Sequence, residues 1–459
     1  MTAILKIIVN KGKNMEQNIN FNSEEIVLTL SVMSDIHISG SWGIERSEHF
    51  FKNALNFANK AASNKIDAFL FTGDFTDCMN SKGNVLVGNG WPDDYEEAKA
   101  RQSKTEFEIL RRCFSEEIAE DAEIIYCLGN HDSINCNNTE RFITEFSSRD
   151  TVGDNKNFDR MYRTDTDLEA LHKGMRHCVY KGYHFLCIDM ANDNTDSIAF
   201  LKRNLDEIIA KEPDKYVFIL HHCKTPDMNY ASNMWGTNYE LHELLKNYPQ
   251  AILFAGHKHC ALHNERSIMQ REYTSVEASC VSYIKVDCVK QPENVTHSMG
   301  YQCSQGLLVE LDKSGNMRIT RLDYAQHVKI KDPWILAHPN EDKSHLKTYT
   351  DERRTISEPP QFGENFGLQV SPTENGTLIS FNQAKHDDMP YRYEIAITDY
   401  NGNRETFYLS SLFCYYPSLN DIPNSVWANI DYDYSKIYTL TVTPQDVWYN
   451  SGKSVTYYF

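Results

Sequence analysis

The sequence predicts a layered α/β domain followed by a small all-β domain, on three observations. From about residue 24 to residue 330, short apolar segments alternate with amphipathic segments of helical length. Several of these apolar segments end in His, Asp or Asn. After residue 362 only short strand-like segments rich in Tyr and Thr remain. A chain of 459 residues is also longer than one hydrophobic core usually fills, so we expect two domains.

Residues 1–23 are predicted to form an N-terminal extension. The segment MTAILKIIVNKGK is partly apolar, but Lys6 interrupts it and no small-residue cleavage site follows, so it makes a poor signal peptide. A native start at Met15 is a hypothesis that N-terminal sequencing would test. The twelve cysteines contain no C-x-x-C pair, and without an export signal they indicate reduced thiols and a cytoplasmic protein.

The predicted elements of residues 24–330 begin with the strand EIVLTLSVMSDIH and the helix ERSEHFFKNALNFANKAASNK. The strand IDAFLFTGD, the charged helix DDYEEAKARQSKTEFEILRRCFSEEIAE and the strand AEIIYCLGNHD follow. In the first helix one predicted apolar face consists of Phe50, Ala54, Phe57, Ala58 and Ala61.

Strands and helices continue to alternate along the chain. The helix SIAFLKRNLDEIIAKE precedes the strand KYVFILHH, and the helix NYELHELLKNYP precedes the strand AILFAGHKH. Two hairpins, RHCVYKGYHFLCID and GLLVELDKSGNMRITRLDY, add antiparallel pairs. We therefore expect a mixed sheet or a sandwich of sheets flanked by helices.

The rest of the chain is predicted to be a linker and a β-domain. Residues 331–362 combine many charges with Pro333, Pro339, Pro359 and Pro360, which indicates a linker. Residues 363–459 contain the strand-like segments TLISFNQA, YRYEIAITD, RETFYLSS, KIYTLTVTP and SVTYYF. Asn401-Gly402 joins the second to the third and signals a two-residue hairpin. These features predict a β-sandwich of the immunoglobulin or fibronectin III type.

Residues of metal-ligand type follow successive strands of the α/β domain. The carboxyl ends of strands are where ligands bind in open α/β folds, and residues two apart in an extended segment project to the same side. A single histidine after a strand is more often structural, but five such clusters in order are not independent accidents. The cluster residues are Asp35, His37, Asp74, Asn130, His131, His221, His222, His257 and His259.

This set of side chains predicts a metal centre. Burying so many imidazoles and carboxylates without a cation would cost several kcal/mol of desolvation. The mixture of carboxylate, amide and imidazole groups suits Mn, Fe, Zn or Ni. Seven ligands are too many for one ion but suit two divalent ions that share a carboxylate. Two ions about 3.5–4 Å apart can hold a hydroxide and clamp a phosphoryl group.

The ordered set D-x-H, G-D, G-N-H-D, H and G-H-x-H, from Asp35 to His259, resembles the motifs of the calcineurin-like metallophosphoesterase family. The resemblance covers about half of the chain. It implies the family's sandwich of mixed sheets flanked by helices. It also implies a dinuclear metal centre that hydrolyses phosphoesters through a metal-activated hydroxide.

The resemblance assigns a role to each motif residue. Asp35, His37 and His259 resemble the ligands of the first ion, Asn130, His221 and His257 resemble those of the second, and Asp74 resembles the bridging carboxylate. His131 resembles the family's histidine that is not a ligand but faces the phosphate and protonates the leaving group. Asp77 resembles the carboxylate that orients this histidine.

Two of these assignments have alternatives. Either His221 or His222 could be the ligand, and we choose His221 because in the family the histidine that directly ends the strand binds the metal. His222 would then line the substrate pocket. Asp132 could orient His131 in place of Asp77, or it could cap a turn or helix.

Departures from known subfamilies narrow the predicted activity. The protein phosphatases carry G-D-x-V-D-R-G and G-N-H-E, but here Phe75 to Met79 lacks the arginine and Asp132 replaces the glutamate. Purple acid phosphatases carry a tyrosine where Asp77 stands. The remaining resemblance is to bacterial-type phosphodiesterases and phosphohydrolases, some of which act on cyclic nucleotides.

The predicted partner is a small phosphoester. A net charge of −18 argues against a nucleic-acid polymer or an anionic membrane, and the sequence does not predict the oligomeric state. Trp91, Trp42 and Trp235 could form a rim for a base or a lipid-like group, or pack within their own loops. Lys224 and Lys258 could contact the phosphate or be solvated.

Two further hypotheses belong to other functional classes. The chain could be a non-catalytic scaffold on the same fold, like a retromer subunit of this family. Such proteins tend to lose the histidine of G-N-H or some ligands, and this chain keeps them all. The C-terminal β-domain could bind a polymer or a partner, or it could simply pack against the first domain.

Overall fold

The computed structural model describes residues 19–39, 43–77, 95–135, 168–190, 195–233, 236–285, 302–339, 347–413 and 422–459. The described residues from Ile19 to Tyr349 form one compact unit, and those from Thr350 to Phe459 form a second. Within the described ranges, no helix is long and apolar enough to cross a membrane.

The first unit contains thirteen named strands and six helices in its described part. The strands are β1 (Ile26–Met33), β2 (Ala68–Phe71), β3 (Glu123–Tyr126), β4 (Met175–Tyr180), β5 (Tyr183–Ile188), β6 (Val217–His221), β7 (Ala251–Ala255), β8 (Ile268–Gln270), β9 (Thr274–Glu277), β10 (Gln305–Asp312), β11 (Met317–Asp323), β12 (Val328–Lys329) and β13 (Trp334–Leu336). The helices are α1 (Ile44–Ala61), α2 (Tyr95–Glu117), α3 (Asn130–Asn135), α4 (Leu168–His172), α5 (Thr195–Lys211) and α6 (Tyr239–Leu245).

These strands form two mixed sheets. The first has the order β12-β11-β10-β1-β2-β3, with β13 also paired to β11, and the second has the order β4-β5-β6-β7-β9-β8. β1, β2 and β3 are parallel to one another, as are β5, β6, β7 and β9. The β4–β5 and β10–β11 hairpins are antiparallel. The predicted fold class, mixed sheets flanked by helices, is confirmed.

Alternation of side chains along the strands explains the layers. Leu30 and Val32 of β1 belong to one buried cluster with Phe218 and Leu220 of β6, so this face of the first sheet packs on the second sheet. Met33 belongs to another cluster, which includes residues of α1 and α2. The parallel strands are therefore covered on both faces, and their carboxyl ends meet at one edge of the sandwich.

Helix α1 buries a face close to the one predicted. Ala54 and Ala58 are buried as predicted, and Phe57 and Ala61 are partly buried against the same core. The difference is that Phe51 and Leu55, rather than Phe50, complete the buried apolar face. Both choices fit the helical period, because apolar residues are adjacent in the pairs Phe50-Phe51 and Ala54-Leu55. The sequence therefore defines the centre of the apolar face only to within about one residue.

The predicted linker, residues 331–362, is wrong over its first part. The described residues between 331 and 349 belong to the first unit, and Trp334–Leu336 forms strand β13 against β11. The indole of Trp334 is buried, with 2% exposure, and its Nε1 donates a hydrogen bond to Glu265 Oε2 (3.1 Å). A three-residue strand between prolines and charges is too short to give a periodic signal.

The described part of the second unit consists of short strands, the helical turn α7 (Arg353–Ile356) and a 3₁₀ turn (Tyr434–Lys436). Its strands are β14 (Gln369–Thr373), β15 (Gly376–Asn382), β16 (Arg392–Asp399), β17 (Arg404–Ser410), β18 (Ser425–Ile430), β19 (Ile437–Gln445) and β20 (Val455–Tyr458). They form two antiparallel sheets, β14-β15-β18 and β17-β16-β19-β20. The rings of Phe381 and Tyr393, one from each sheet, lie 4.9 Å apart. The predicted C-terminal β-sheets are confirmed.

The hairpin at Asn401-Gly402 is present, but its loop is longer than predicted. The backbone N–H of Asp399 donates to the carbonyl of Asn403 (2.9 Å), so three residues, not two, connect the paired positions. Gly402 has φ of 85°, a left-handed conformation that glycine adopts without strain.

We expect Trp334→Ala to lower the free energy of unfolding of the first unit by about 3–5 kcal/mol, because it opens a cavity in the core and removes the bond to Glu265. Urea denaturation monitored by far-UV circular dichroism measures this change. The control is Val328→Ala, at an exposed position of β12. A loss below about 1 kcal/mol would show that residues 331–349 act as the linker first predicted.

Candidate metal centre

The predicted ligands come together where the carboxyl ends of parallel strands from both sheets meet. The segments that follow β1, β2 and β3 bring them from the first sheet, and those that follow β6 and β7 bring them from the second. The side chains that lie in this cluster are Asp35, His37, Asp74, Asp77, Asn130, His131, His222, His257 and His259.

Backbone hydrogen bonds hold the segments after β1 and β2 side by side. The N–H of Asp35 donates to the carbonyl of Gly73 and the N–H of His37 to the carbonyl of Asp74, both at 3.0 Å. The N–H of Asp77 returns a bond of 3.0 Å to the carbonyl of Ile38. These bonds extend the pairing of β1 with β2 beyond the strand ends. They fix the backbone positions of Asp35, Asp74 and Asp77 relative to one another.

Five of the cluster residues have left-handed backbones. The φ angles are 52° for Asp35, 47° for His37, 54° for Asp74, 71° for His257 and 51° for His259. This region costs residues with a Cβ roughly 1 kcal/mol or more each, and such strain concentrates at functional sites. The turns aim side chains of consecutive strand ends at common points.

Two glycines allow the strand ends to approach closely. A Cβ on Gly129 would collide with the Asp74 carboxylate, and a Cβ on Gly256 would collide with Ser34 and Asp35. The motif glycines before Asn130 and before His257 are therefore required by space rather than by backbone φ.

The first group of ligand-type atoms is formed by Asp35, His37 and His259, all buried. Asp35 Oδ1 lies 2.9 Å from His259 Nε2 and 3.8 Å from His37 Nε2. The two histidine nitrogens lie 3.3 Å from each other. One oxygen and two nitrogens thus converge, as the resemblance implied for the first ion.

The second group is formed by Asp74, His222 and His257, with Asn130 beside it. His222 Nε2 lies 3.1 Å from Asp74 Oδ2, 3.2 Å from Asn130 Oδ1 and 3.2 Å from His257 Nδ1. Asp74 Oδ2 is also 3.8 Å from His37 Nε2 of the first group. Asp74 therefore lies between the two groups, in the position expected of a bridging carboxylate.

The buried carboxylates are stabilised as anions by the imidazoles. Burial alone would raise the pKa of Asp35, but His259 and His37 outweigh it and hold that pKa well below its usual range. Burial likewise opposes ionisation of Asp74, and the imidazole of His222 contributes most to lowering its pKa. The centre therefore holds ionised carboxylates in a water-poor environment, beside the imidazoles that stabilise them.

The histidines divide into two classes. Burial disfavours the charged form of His37 and His222, but surrounding carboxylates raise their pKa values to about 10 and about 9. Burial is the largest cause of the low pKa values of His257 and His259, which fall to about 2 and about 4. Metal ligands must be deprotonated, so bound cations would take the place of the protons on His37 and His222.

His131 and Asp77 form a separate pair beside the first group. Asp77 Oδ1 lies 2.8 Å from His131 Nδ1 and 3.6 Å from His37 Nδ1. The Ser39 hydroxyl donates to the other Asp77 oxygen at 2.9 Å. The His131 side chain is 21% exposed, whereas Asp35, His37 and His259 of the first group are almost fully buried. The imidazole of His131 is therefore more accessible than the residues of the first group.

The chemistry of these donors fits two divalent cations. In each group the ligand atoms all lie within 4.8 Å of one another, and each group combines carboxylate oxygen with imidazole nitrogen. Buried carboxylate oxygens and imidazole nitrogens face each other across both groups, an arrangement that is costly unless protons or a cation lie between them. Oxygen and nitrogen ligands suit borderline ions and not thiolate-seeking ones.

Comparison with known proteins identifies the family. The family described as calcineurin-like phosphoesterase matches residues 28–261, half of the chain and a range that contains the whole cluster. The chain belongs to the calcineurin-like phosphoesterase family. Among solved structures, one that matches is described as "GAP50 the anchor in the inner membrane complex of Plasmodium". It is 12% identical, with a TM-score of 0.41, and covers 70% of this chain and 93% of that chain. No curated protein shows a significant match.

The choice of His221 over His222 as a ligand in this phosphoesterase-family member is wrong. His221 Nδ1 lies 3.3 Å from the carbonyl oxygen of Ile188, and its Nε2 lies 3.3 Å from Asn238 Nδ2. His222 continues the alternation of Phe218 and Leu220, whose side chains face the first sheet, and so reaches the cluster. His221 has the opposite parity and points away.

The alternative role for Asp132 is resolved in favour of capping. Its Oδ2 accepts from the N–H of Gly129 (3.0 Å), three residues earlier, as in a capping box. Its Oδ1 accepts from the N–H groups of Phe75 (2.9 Å) and Thr76 (3.1 Å). Asp132 therefore ties the segment after β2 to the start of α3, while Asp77 contacts His131.

Neither reading of Lys224 holds, because its ammonium is buried in an ion pair with Glu277 and donates to the carbonyl of Tyr230 (2.8 Å). Lys224 is a structural residue. Trp42, Trp91 and Trp235 lie outside the described residues, so the predicted aromatic rim stays a prediction.

Sequence reasoning missed two residues at the centre. Ser39 continues the period-two series of Asp35 and His37, a signal that could have found it. The Tyr283 ring lies 4.2 Å from the His259 ring and 5.7 Å from the His37 ring. Tyr283 follows β9, the fourth parallel strand of the second sheet. The expectation that site residues follow the carboxyl ends of parallel strands therefore applies to it as well.

We expect His222→Ala to lower the content of tightly bound metal by about one ion per chain, because it removes a ligand of the second group. The matched variant His221→Ala should retain the full content. Elemental analysis after loading with Mn and gel filtration measures both, with circular dichroism to check folding. Metal loss in the His221 variant alone would contradict the assignment.

Proposed function

We propose that this chain is a metal-dependent hydrolase of small phosphoesters, a phosphodiesterase rather than a protein phosphatase. The observation that carries the proposal is the pair of ligand groups that share Asp74, with His131 and Asp77 beside them. Family membership supports the hydrolase class. A nucleotide or a cyclic nucleotide is within the proposed substrate range, and a phosphomonoester is the second choice.

Two divalent cations, Mn, Fe, Zn or Ni, are the proposed cofactors. Asp35, His37 and His259 would hold one, Asn130, His222 and His257 would hold the other, and Asp74 would bridge them. Bound there, the ions would supply Lewis acidity toward the phosphoryl oxygens and lower the pKa of water to a value where it is a nucleophile at neutral pH.

The protein's own residues would orient the substrate and move a proton. Asp77 Oδ1 lies 2.8 Å from His131 Nδ1, so Nδ1 faces the carboxylate and Nε2 is the ring nitrogen that would donate to the leaving-group oxygen. Ser39 holds the Asp77 carboxylate in that orientation. The burial of the neighbouring groups excludes competing water and strengthens each of these interactions.

Charge and cysteine state support a small substrate and an intracellular location. The net charge of −18 disfavours polyanionic partners such as nucleic-acid polymers and anionic membranes. The cysteines within the described residues are buried and form no disulfide with one another. Reduced thiols support the proposed cytoplasmic location.

We expect EDTA to abolish hydrolysis of bis(p-nitrophenyl) phosphate and added Mn to restore it, because the reaction needs cations in both groups. Release of p-nitrophenolate is followed by absorbance. A metal-replete protein that is inert to mono-, di- and cyclic phosphoesters would favour the alternative, a non-catalytic scaffold on this fold.

We expect His131→Ala to lower kcat by about 10²–10⁴-fold, with the larger loss on the poorer leaving group. Methyl p-nitrophenyl phosphate and methyl phenyl phosphate form the substrate pair, since phenol depends more on protonation than p-nitrophenol. Metal content should stay unchanged, and His177→Ala, outside the cluster, is the control. Equal losses on both substrates would argue against proton donation by His131.

A further inference from the structure

The segment after β9, residues 278–285, lies across the end of β1. The N–H of Val281 donates to the carbonyl of Ser34 (3.0 Å), and the N–H of Ser282 donates to the carbonyl of Asp35 (3.3 Å). From α1, a guanidinium nitrogen of Arg46 donates to the carbonyl of Ser282 (2.9 Å). These bonds hold the segment in place beside the first ligand group.

Lys285 is fixed at the rim of the centre by this segment. Its backbone N–H donates to the carbonyl of His259 (2.9 Å), so its Cα is held beside a predicted metal ligand. Its Nζ lies 5.1 Å from the centroid of the Tyr283 ring, close enough for a cation–π contact. The Tyr283 ring also contacts the His259 ring, with the two ring centroids 4.2 Å apart. Tyr283 therefore contacts both the Lys285 ammonium and a residue of the first ligand group.

The side chain of Lys285 is exposed, and no carboxylate among the described residues pairs with it. Other exposed lysines, such as Lys202, Lys211 and Lys246, pair with nearby carboxylates. In a chain with a net charge of −18, Lys285 places a positive charge beside the first ligand group.

We propose that Lys285 binds a second anionic group of the substrate, a phosphate or a carboxylate carried on the part of the molecule that does not leave. This inference rests on the proposed function and names its substrate class: small phosphoesters with a further negative charge near the scissile phosphate.

The same geometry disfavours an aromatic or apolar recognition element at this position. Tyr283 is only 8% exposed, so little of its ring is open for a base to stack on. The exposed group is the ammonium, which attracts an anion and gains nothing from an apolar substituent. Charge recognition is therefore the interaction that the rim can offer.

The test uses three substrates that share the p-nitrophenolate leaving group and differ only in the second ester. These are the p-nitrophenyl phosphodiesters of phenol, 4-carboxyphenol and 4-phosphonophenol, assayed with the full-length Mn-loaded protein. Hydrolysis of the phenyl compound by the wild type tests the proposed function on its own. We expect Lys285→Gln to lower kcat/KM by about threefold to tenfold on the charged compounds and to leave the phenyl compound within about twofold.

The control is Lys329→Gln, at an exposed position on β12 with the same change in net charge, which should leave all three rates unchanged. A loss confined to the phosphonate or to the carboxylate compound would identify which anion Lys285 binds. Equal effects of Lys285→Gln on all three substrates, or no effect on any, would overturn the inference while leaving the proposed function standing.

Discussion

The centre depends on keeping buried carboxylates and imidazoles within contact distance of one another. Asp35 and Asp74 are almost fully buried, and His37 lies 3.8 Å from each of them. Groups of this kind repel or lose hydration when they are gathered, and only protons or cations placed between them offset that cost. The raised pKa values of His37 and His222 show that protons are held between these groups when no cation is bound. A pair of divalent cations satisfies it more completely than protons do.

The sandwich supplies the rigidity that this arrangement requires. Parallel strands from two sheets end at one edge, and the backbone bonds from Asp35 to Gly73 and from Asp77 to Ile38 extend the pairing beyond the strands. Asp132 ties the segments after β2 and β3 together. Asp189 does the same between the sheets, since it accepts from the N–H of Leu128 (2.8 Å) and pairs with Arg176. The left-handed turns at the ligands persist because these bonds determine the backbone on both sides.

Much of the fold and of the centre could be predicted from the sequence, because apolar runs ending in ligand-type residues signal both a parallel strand and a site. The errors have physical causes. The choice between His221 and His222 depended on which face of β6 meets the other sheet, and a buried strand with apolar residues on both faces does not reveal this. Strand β13 was missed because three apolar residues carry no period. Tyr283 and Lys285 lie in the loop after β9. The position after a strand signals a site, but the bonds of this loop to the end of β1 join distant parts of the chain and are not encoded in a local pattern.

The most direct measurement of the central claim is anomalous diffraction from crystals of the Mn-loaded protein. We expect two anomalous peaks, one among Asp35, His37 and His259 and the other among Asn130, His222 and His257, with Asp74 between them. Absence of peaks in a fully loaded protein, or a peak beside His221 instead of His222, would contradict it.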